Sequence, residues 1–354
     1  AKKGGGVSRS CPRGNSSIAW MSGMRNTEHI VCLVPKLLGP VPKTLAQALG
    51  AARRPNLEWL LSRATAISCA GSGTEGLLAE RFPELPSAGP LIATTLNLPP
   101  YPYCYRAAPI HLRADRDRLL VFAGEACSLD EAESQAVCDS LNAFFKDDGI
   151  ALVIHAGEWL LFAESPPGPA LPPLSRVAGR YLDTVIPMDA AAKRWRQILN
   201  ELQMLLHAHP VNQAREAAGL LVANGLWAWG GGEIKAELSR SSATERLAFE
   251  GDSPLVAGAN AWCRTTNRES VDQTVWLYDA AERALMQGDA GAWLAAIESF
   301  EENAAKQWVE KLKTSNATVE LRVGEGMAWQ VDSYSRWRFW RRSQPLRDLI
   351  QVRD

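Results

Sequence analysis

Aspartate is missing from the first 114 residues of this chain, and histidine from everything after His209. Carboxylate and neutral imidazole are common ligands of catalytic divalent metals, so both ends of the chain are poorly supplied for such a site. Cysteine is scarce and scattered: its seven copies are odd in number and never form a CxxC pair. That excludes a disulfide framework and a zinc ribbon. It points to buried thiols in a reducing compartment, with the cytoplasm as the expected location. The Asn316-Ala317-Thr318 sequon then carries no glycosylation meaning. No apolar run approaches the length of a membrane span, so no membrane partner is expected. Excess charge of either sign is also lacking. A formal net charge of −1 leaves no overall pull toward nucleic acid or anionic lipid.

Apolar residues are plentiful. At 46% hydrophobic content over 354 residues, the chain can bury a sizeable core as one large or two modest domains. Residues 1–29 are the exception. They are basic, rich in Gly and Ser, lack the apolar stretch of a secretory signal, and are expected to be disordered. The chain opens on Ala, and Met21 and Met24 stand just ahead of the first strand-like run. These residues are therefore read as translated upstream sequence or an expression remnant, with a basic arm as the alternative.

Residues 30–34 are apolar and β-branched, and read as a buried first strand. Helical spacing follows over 44–53 and 56–63. Ser72 and Glu75 have the spacing of a capping box that opens a short helix to Phe82. Residues 99–105 read as a loop with packed tyrosines, and 109–122 as a hairpin that turns at Asp115-Arg116-Asp117. His111, Asp115 and Asp117 form a close His/Asp group, but an Asp-rich turn needs no metal, so none is assigned. The clearest helix of the first half spans 128–145, capped by Ser128 and Glu131, and 150–155 with 158–162 form a hairpin. The prolines of 166–173 mark a boundary or surface loop. A long helix over 190–207 carries Trp195, Ile198, Leu199, Leu202, Leu205 and Leu206 on one face. Residues 270–287 and 289–313 read as two further helices, and 318–323 and 327–331 as strands. A last segment, 336–342, interleaves arginines with Trp337, Phe339 and Trp340. A nucleic-acid stacking surface and an edge strand with Trp337 and Phe339 inward both explain it. Given the neutral overall charge, the edge strand is expected and nucleic acid is not an expected partner.

The most unusual residue choices fall in 207–233, HAHPVNQAREAAGLLVANGLWAWGGGE. Asn212 and Arg215 share a face of a short helix over 211–218, stopped by Gly219. Asn224, Trp227 and Trp229 follow on an alternating strand, and Gly230, Gly231 and Gly232 let a ligand or another backbone come close. Caps, a buried strand face and a turn would explain the same residues. His209 is attributed to its proline turn rather than to a metal. The pattern resembles the segment HPxNxxRxxxGxxxANxxWxWGxG of archaeal-type, cofactor-independent phosphoglycerate mutases, in the alkaline-phosphatase superfamily. It is more similar still to a proteobacterial branch known as regulatory protein RpfE. That branch shares the segment PIHLRADRDRL at 109–119 and the ending WRFWRR at 337–342. The branch resemblance covers most of 30–346, and that to the mutases 128–232.

The resemblance implies an α/β fold: an alkaline-phosphatase-like sheet core flanked by helices, formed by 30–122 and 208–354, with an embedded smaller α+β lid-like segment over 123–207. It also implies a chemistry whose parts this chain lacks. In the mutases the first strand leads into a metal-binding aspartate, a serine is phosphorylated in turnover, and further aspartate and histidine ligands follow the glycines. Here the first strand runs into Pro35-Lys36, and a protonated lysine has no lone pair for a cation. The expectation is a non-catalytic regulatory or binding protein, with no cofactor, metal or catalytic residue. It would hold a small phosphorylated or carboxylated metabolite, or a protein partner, through Asn212, Arg215, Asn224, Trp227, Trp229 and Gly230. The alternatives are an active mutase or phosphatase with unfamiliar ligands, and a nucleic-acid-binding regulator.

Overall fold

Near-continuous apolar runs such as that at 30–34 let a strand bury both faces, with successive residues entering opposite cores. The computed structural model describes residues 27–50, 52–97, 99–124, 127–239, 247–265 and 273–353. Most of the basic segment at 1–29 lies outside them. In chain order the strands are β1 (Glu28–Leu33), β2 (Val41–Pro42), β3 (Thr65–Ala66), β4 (Tyr103–Asp115), β5 (Arg118–Phe122), β6 (Ile150–His155) and β7 (Glu158–Ala163). They continue as β8 (Gly225–Glu233), β9 (Leu247–Gly251), β10 (Gln273–Leu277), β11 (Ala317–Gly324), β12 (Met327–Asp332) and β13 (Val352–Arg353).

Sheet one runs β3-β12-β11-β1-β10-β9. Its four strands β9, β10, β1 and β11 are parallel, while β12 and β3 are antiparallel. Ile30 and Cys32 enter a core closed by the helices Pro55–Arg63, Ala290–Ser299 and Lys306–Thr314. Val31 and Leu33 enter another, closed by the helices Gly73–Arg81, Ala88–Ala93 and Leu255–Thr265. Sheet two runs β5-β4-β7-β6, with β8 also paired to β4. Leu160 and Phe162 of β7 join the core shared with sheet one, whereas Trp159, Leu161 and Ala163 face the helices Glu131–Phe144 and Lys193–His207. The layers are therefore helices, sheet, helices, sheet, helices. This is an α/β fold with a central sheet flanked by helices, as expected. Among the described residues no helix is long and apolar enough to cross a membrane.

Several boundaries differ from the sequence reading. The strands within 103–122 and 208–233 belong to sheet two and not to sheet one, because β4 pairs with β5, β7 and β8. Alternation shows that a segment is a strand, but not which sheet it joins. The supposed loop at 99–105 contains the start of β4. The supposed helix at 270–287 is β10 followed by the helix Ala280–Gln287, since Val275 and Leu277 alternate inward on sheet one. The helix expected from Ser128 starts at Glu131. Its capping box is Asp130 with Glu133, each side chain accepting from the other's backbone N–H. Finally, 337–342 is no edge strand. The Asp332 carboxylate accepts from the Ser335 N–H and hydroxyl and turns the chain into the 3-10 helix Ser333–Trp337, while the free side of β12 is taken by β3. Trp337 and Phe339 are consequently exposed.

Candidate functional site

An arginine inside an otherwise apolar strand must find partners, because a buried charge without them is costly. Arg106, in the β4 segment Tyr103-Cys104-Tyr105-Arg106-Ala107, is such a residue. Its Nε donates to Glu158 Oε2 at 2.8 Å and its Nη1 to Glu75 Oε1 at 3.0 Å. The guanidinium lies over the Trp229 ring, 5.3 Å from the centroid, and the Trp229 indole N–H donates to Glu75 at 2.7 Å. Burial raises the Glu75 pKa, and the cation and these hydrogen bonds only partly oppose it. Burial would lower the pKa of Arg106, but Glu158 and Glu75 outweigh it and keep the guanidinium charged.

Glu75 is free for this role because a distant residue caps its helix. Glu282 Oε2 accepts from the Thr74 N–H at 3.0 Å and from its hydroxyl at 2.7 Å. The expected Ser72–Glu75 capping box does not form. Ser72 instead donates to Glu325 at 2.8 Å. The second oxygen of Glu282, Oε1, is buried and has no hydrogen-bond partner. Glu75, Arg106, Glu158, Trp229 and Glu282 all line one cleft of about 720 Å3, which opens between the helices at the carboxyl end of β10 and sheet two.

Beside it, the strand ends of sheet one carry paired charges. Asp252 follows β9 and Asp279 follows β10. The Asp279 N–H donates to Asp252 Oδ1 at 3.0 Å, and Arg283 pairs with both carboxylates. Burial holds the Asp252 carboxyl above its usual range against the pull of Arg283. After β1, Lys36 pairs with Glu325 at 2.7 Å, a bond that lowers the Glu325 pKa. These residues do not fit the two divalent cations of the mutase chemistry. Two carboxylates are present, one guanidinium lies between them and offsets part of their charge, and the neighbouring strand end supplies a lysine. Among the described residues no group of three or more His, Cys, Asp or Glu converges to hold a metal ion.

The residues singled out from the sequence divide. Trp229 lines the cleft. Gly230 stands behind it, and a Cβ there would lie 3.1 Å from Ala88 Cβ and 3.2 Å from Glu75 Oε2. Trp227 turns into the core of sheet two and donates to the Pro172 carbonyl at 2.9 Å. Asn212 is buried, donating to the Leu206 and Ala223 carbonyls and accepting from the Ala223 N–H. Asn224 binds both backbone groups of Leu112. Arg215 donates to the Leu221 carbonyl at 2.9 Å and to Glu133 at 2.7 Å. These three side chains hold β8 and its preceding loop in place from behind the cleft. His209 Nδ1 accepts from the Val211 N–H at 3.3 Å and its Nε2 lies 3.0 Å from the Ser140 hydroxyl. Asp115 accepts from the Tyr181 hydroxyl and His111 bonds the Val222 carbonyl, so the hairpin turn gathers no ligands.

No family model matches this chain, and no curated protein does. Solved structures similar to it include the following two. The PH0037 protein from Pyrococcus horikoshii is similar over 86% of this chain and 86% of its own length, at 13% identity and a TM-score of 0.44. The cofactor-independent phosphoglycerate mutase from Thermoplasma acidophilum DSM 1728 is similar over 86% of this chain and 89% of its own, at 17% identity and a TM-score of 0.32.

Proposed function

We propose that this chain is a binding protein of the regulatory kind suggested by its sequence resemblance, with the cleft between the two sheets as its ligand site and without metal-dependent phosphoryl transfer. The observation that carries the reading is Arg283, which pairs with Asp252 and Asp279 at the strand ends where a two-metal centre would need free carboxylates. A guanidinium held between these two carboxylates occupies the place of a metal ion and engages the oxygens that would ligate it.

The cleft also indicates the polarity of its ligand. Five carboxylates line it, Glu75, Glu131, Glu158, Asp279 and Glu282, against two guanidinium groups, Arg106 and Arg283. Both guanidiniums are already bracketed by acids. A phosphorylated or carboxylated metabolite would face surplus negative charge, and Arg215, its expected partner, is engaged with Glu133. A ligand that presents an ammonium group or several N–H donors to the carboxylates lining the cleft fits better.

Elemental analysis and a coupled mutase assay with manganese supplied test the first part. Sub-stoichiometric metal and background turnover are expected, and chelator-sensitive turnover well above background would end the reading. Calorimetric titration with putrescine and with 3-phosphoglycerate tests the second. Putrescine should bind and lose about tenfold in affinity in Glu282→Gln. Tighter binding of 3-phosphoglycerate would reverse the assigned polarity.

A further inference from the structure

Four large aromatic side chains stand in solvent on one short stretch: Tyr334, Trp337, Phe339 and Trp340 are 75, 61, 77 and 67% exposed. Contiguous exposed rings of this size mark an interaction surface. Arg336 is exposed among them, and Arg341 and Arg342 are exposed just after Trp340. The stretch borders a groove of about 530 Å3 lined by Arg53, Arg63, Arg341 and Arg342 together with the rings of Trp59 and Phe339. Its single carboxylate, Glu58, is already held by Arg53 and by the backbone N–H groups of Arg54 and Leu346. Arg63 lies over the Trp59 ring at 4.7 Å, and its Nε is buried without a hydrogen-bond partner.

The strip is anchored, so its layout is a property of the fold. The helix Pro55–Arg63 leaves carbonyls unpaired at its C-terminal end, where cationic donors are favourable. Arg338 donates to the Arg63 carbonyl and the Thr65 hydroxyl, and Arg341 to the Ala64 carbonyl. Two arginines thus fix the segment, and the rings between them point outward.

We propose that this surface binds single-stranded nucleic acid, with guanidinium groups on the phosphates and the exposed rings stacking on bases. Three observations select that occupant. The cationic part is a groove, which an extended strand can follow and a flat bilayer cannot enter. The rings do not stack face to face: Phe339 and Trp340 meet edge to face at 79°, which covers one face of one ring between them, and both side chains are otherwise exposed. Four guanidiniums against one neutralised carboxylate make a local positive surface on a chain of net charge −1. An acidic peptide would satisfy the arginines but leave the rings uncovered. A duplex would satisfy the phosphate contacts but keep its bases stacked.

Fluorescence anisotropy with labelled oligothymidine and oligouridine of about 15 nucleotides, near the footprint of single-strand binders, tests this on the full chain. Binding should weaken steeply between about 50 and 200 mM salt and exceed duplex binding by about tenfold. The double variant Phe339→Ala/Trp340→Ala should lose about tenfold in affinity with an unchanged melting temperature, since both side chains are exposed. Arg342→Glu should weaken binding and flatten the salt dependence. Three outcomes overturn the proposal: no oligonucleotide binding at low salt, affinity indifferent to loss of the rings, or binding of phosphatidylserine vesicles or a polyglutamate peptide in preference to both oligonucleotides.

Discussion

The Trp229 indole N–H reaches Glu75 at 2.7 Å across 154 positions of sequence, joining β8 of sheet two to a helix of sheet one. This bond spans the cleft floor and couples the charge state of one unit to the packing of the other.

Replacing Trp229 by Phe keeps most of the ring and removes the donor. Burial holds the folded-state pKa of Glu75 above its unfolded value. Ionisation of Glu75 therefore works against folding: its penalty is absent below the unfolded pKa of about 4.3 and grows as pH rises toward the folded value. Trp229→Phe removes a bond that holds the folded pKa down. It should cost about 1–2 kcal/mol at neutral pH and distinctly less near pH 4. Urea unfolding at both pH values reads this, and equal losses would show that the bond is not coupled to the Glu75 charge.

Arg215→Ala should act on stability and leave the cleft alone. The guanidinium is buried between Glu133 and the Leu221 carbonyl, and its removal should cost about 2–3 kcal/mol. Denaturation measures the loss, and putrescine affinity measured below the new midpoint should be unchanged. A large loss of affinity without a loss of stability would restore Arg215 as a ligand residue.

Arg283→Met removes the cation between Asp252 and Asp279. The variant should lose about 1 kcal/mol or less and acquire a melting temperature that rises with manganese concentration, while the parent protein shows no such rise. Thermal scans with and without the metal decide. A flat response in the variant would mean that the guanidinium does not stand in a cation's place.

The glycine run makes room for a ring. A Cβ on Gly231 would lie 1.9 Å from Tyr105 Cδ1, so Gly231→Ala should cost about 1–3 kcal/mol through overpacking. In a Tyr105→Ala background the same substitution should cost little, giving a large coupling in a double-mutant cycle. Additive losses would place the strain elsewhere.

These residues also show how far the sequence could be read. The run at 30–34 was legible because it is short, apolar throughout and rich in β-branched residues, and the strand at 224–229 because its side chains alternate. Gly230–Gly232 were recognisable as a place of close approach, but the approaching groups were the chain's own: Ala88 and Glu75 at Gly230, Tyr105 at Gly231 and Glu237 at Gly232. The cleft residues were harder. Glu75 has the spacing of a local cap, and only the arrival of Glu282 from a helix two hundred residues away releases it to Arg106. The one visible signal was Arg106 itself, a charge among apolar strand residues that had to be answered from somewhere. Asn212, Arg215 and Asn224 were correctly seen as unusual, yet a buried amide that pins a loop and one that binds a ligand share the same residue type. At the C-terminal end, alternation of arginine with aromatics looked like an edge strand because the sequence does not show that β3 already lies beside β12.

Tyr103 and Glu233 lie opposite each other at the start of β4 and the end of β8, so the chain enters and leaves sheet two at neighbouring points. In evolutionary terms the second sheet is a cassette. It can be lengthened, traded or lost at a single seam without breaking a hydrogen bond within the parallel strands of sheet one.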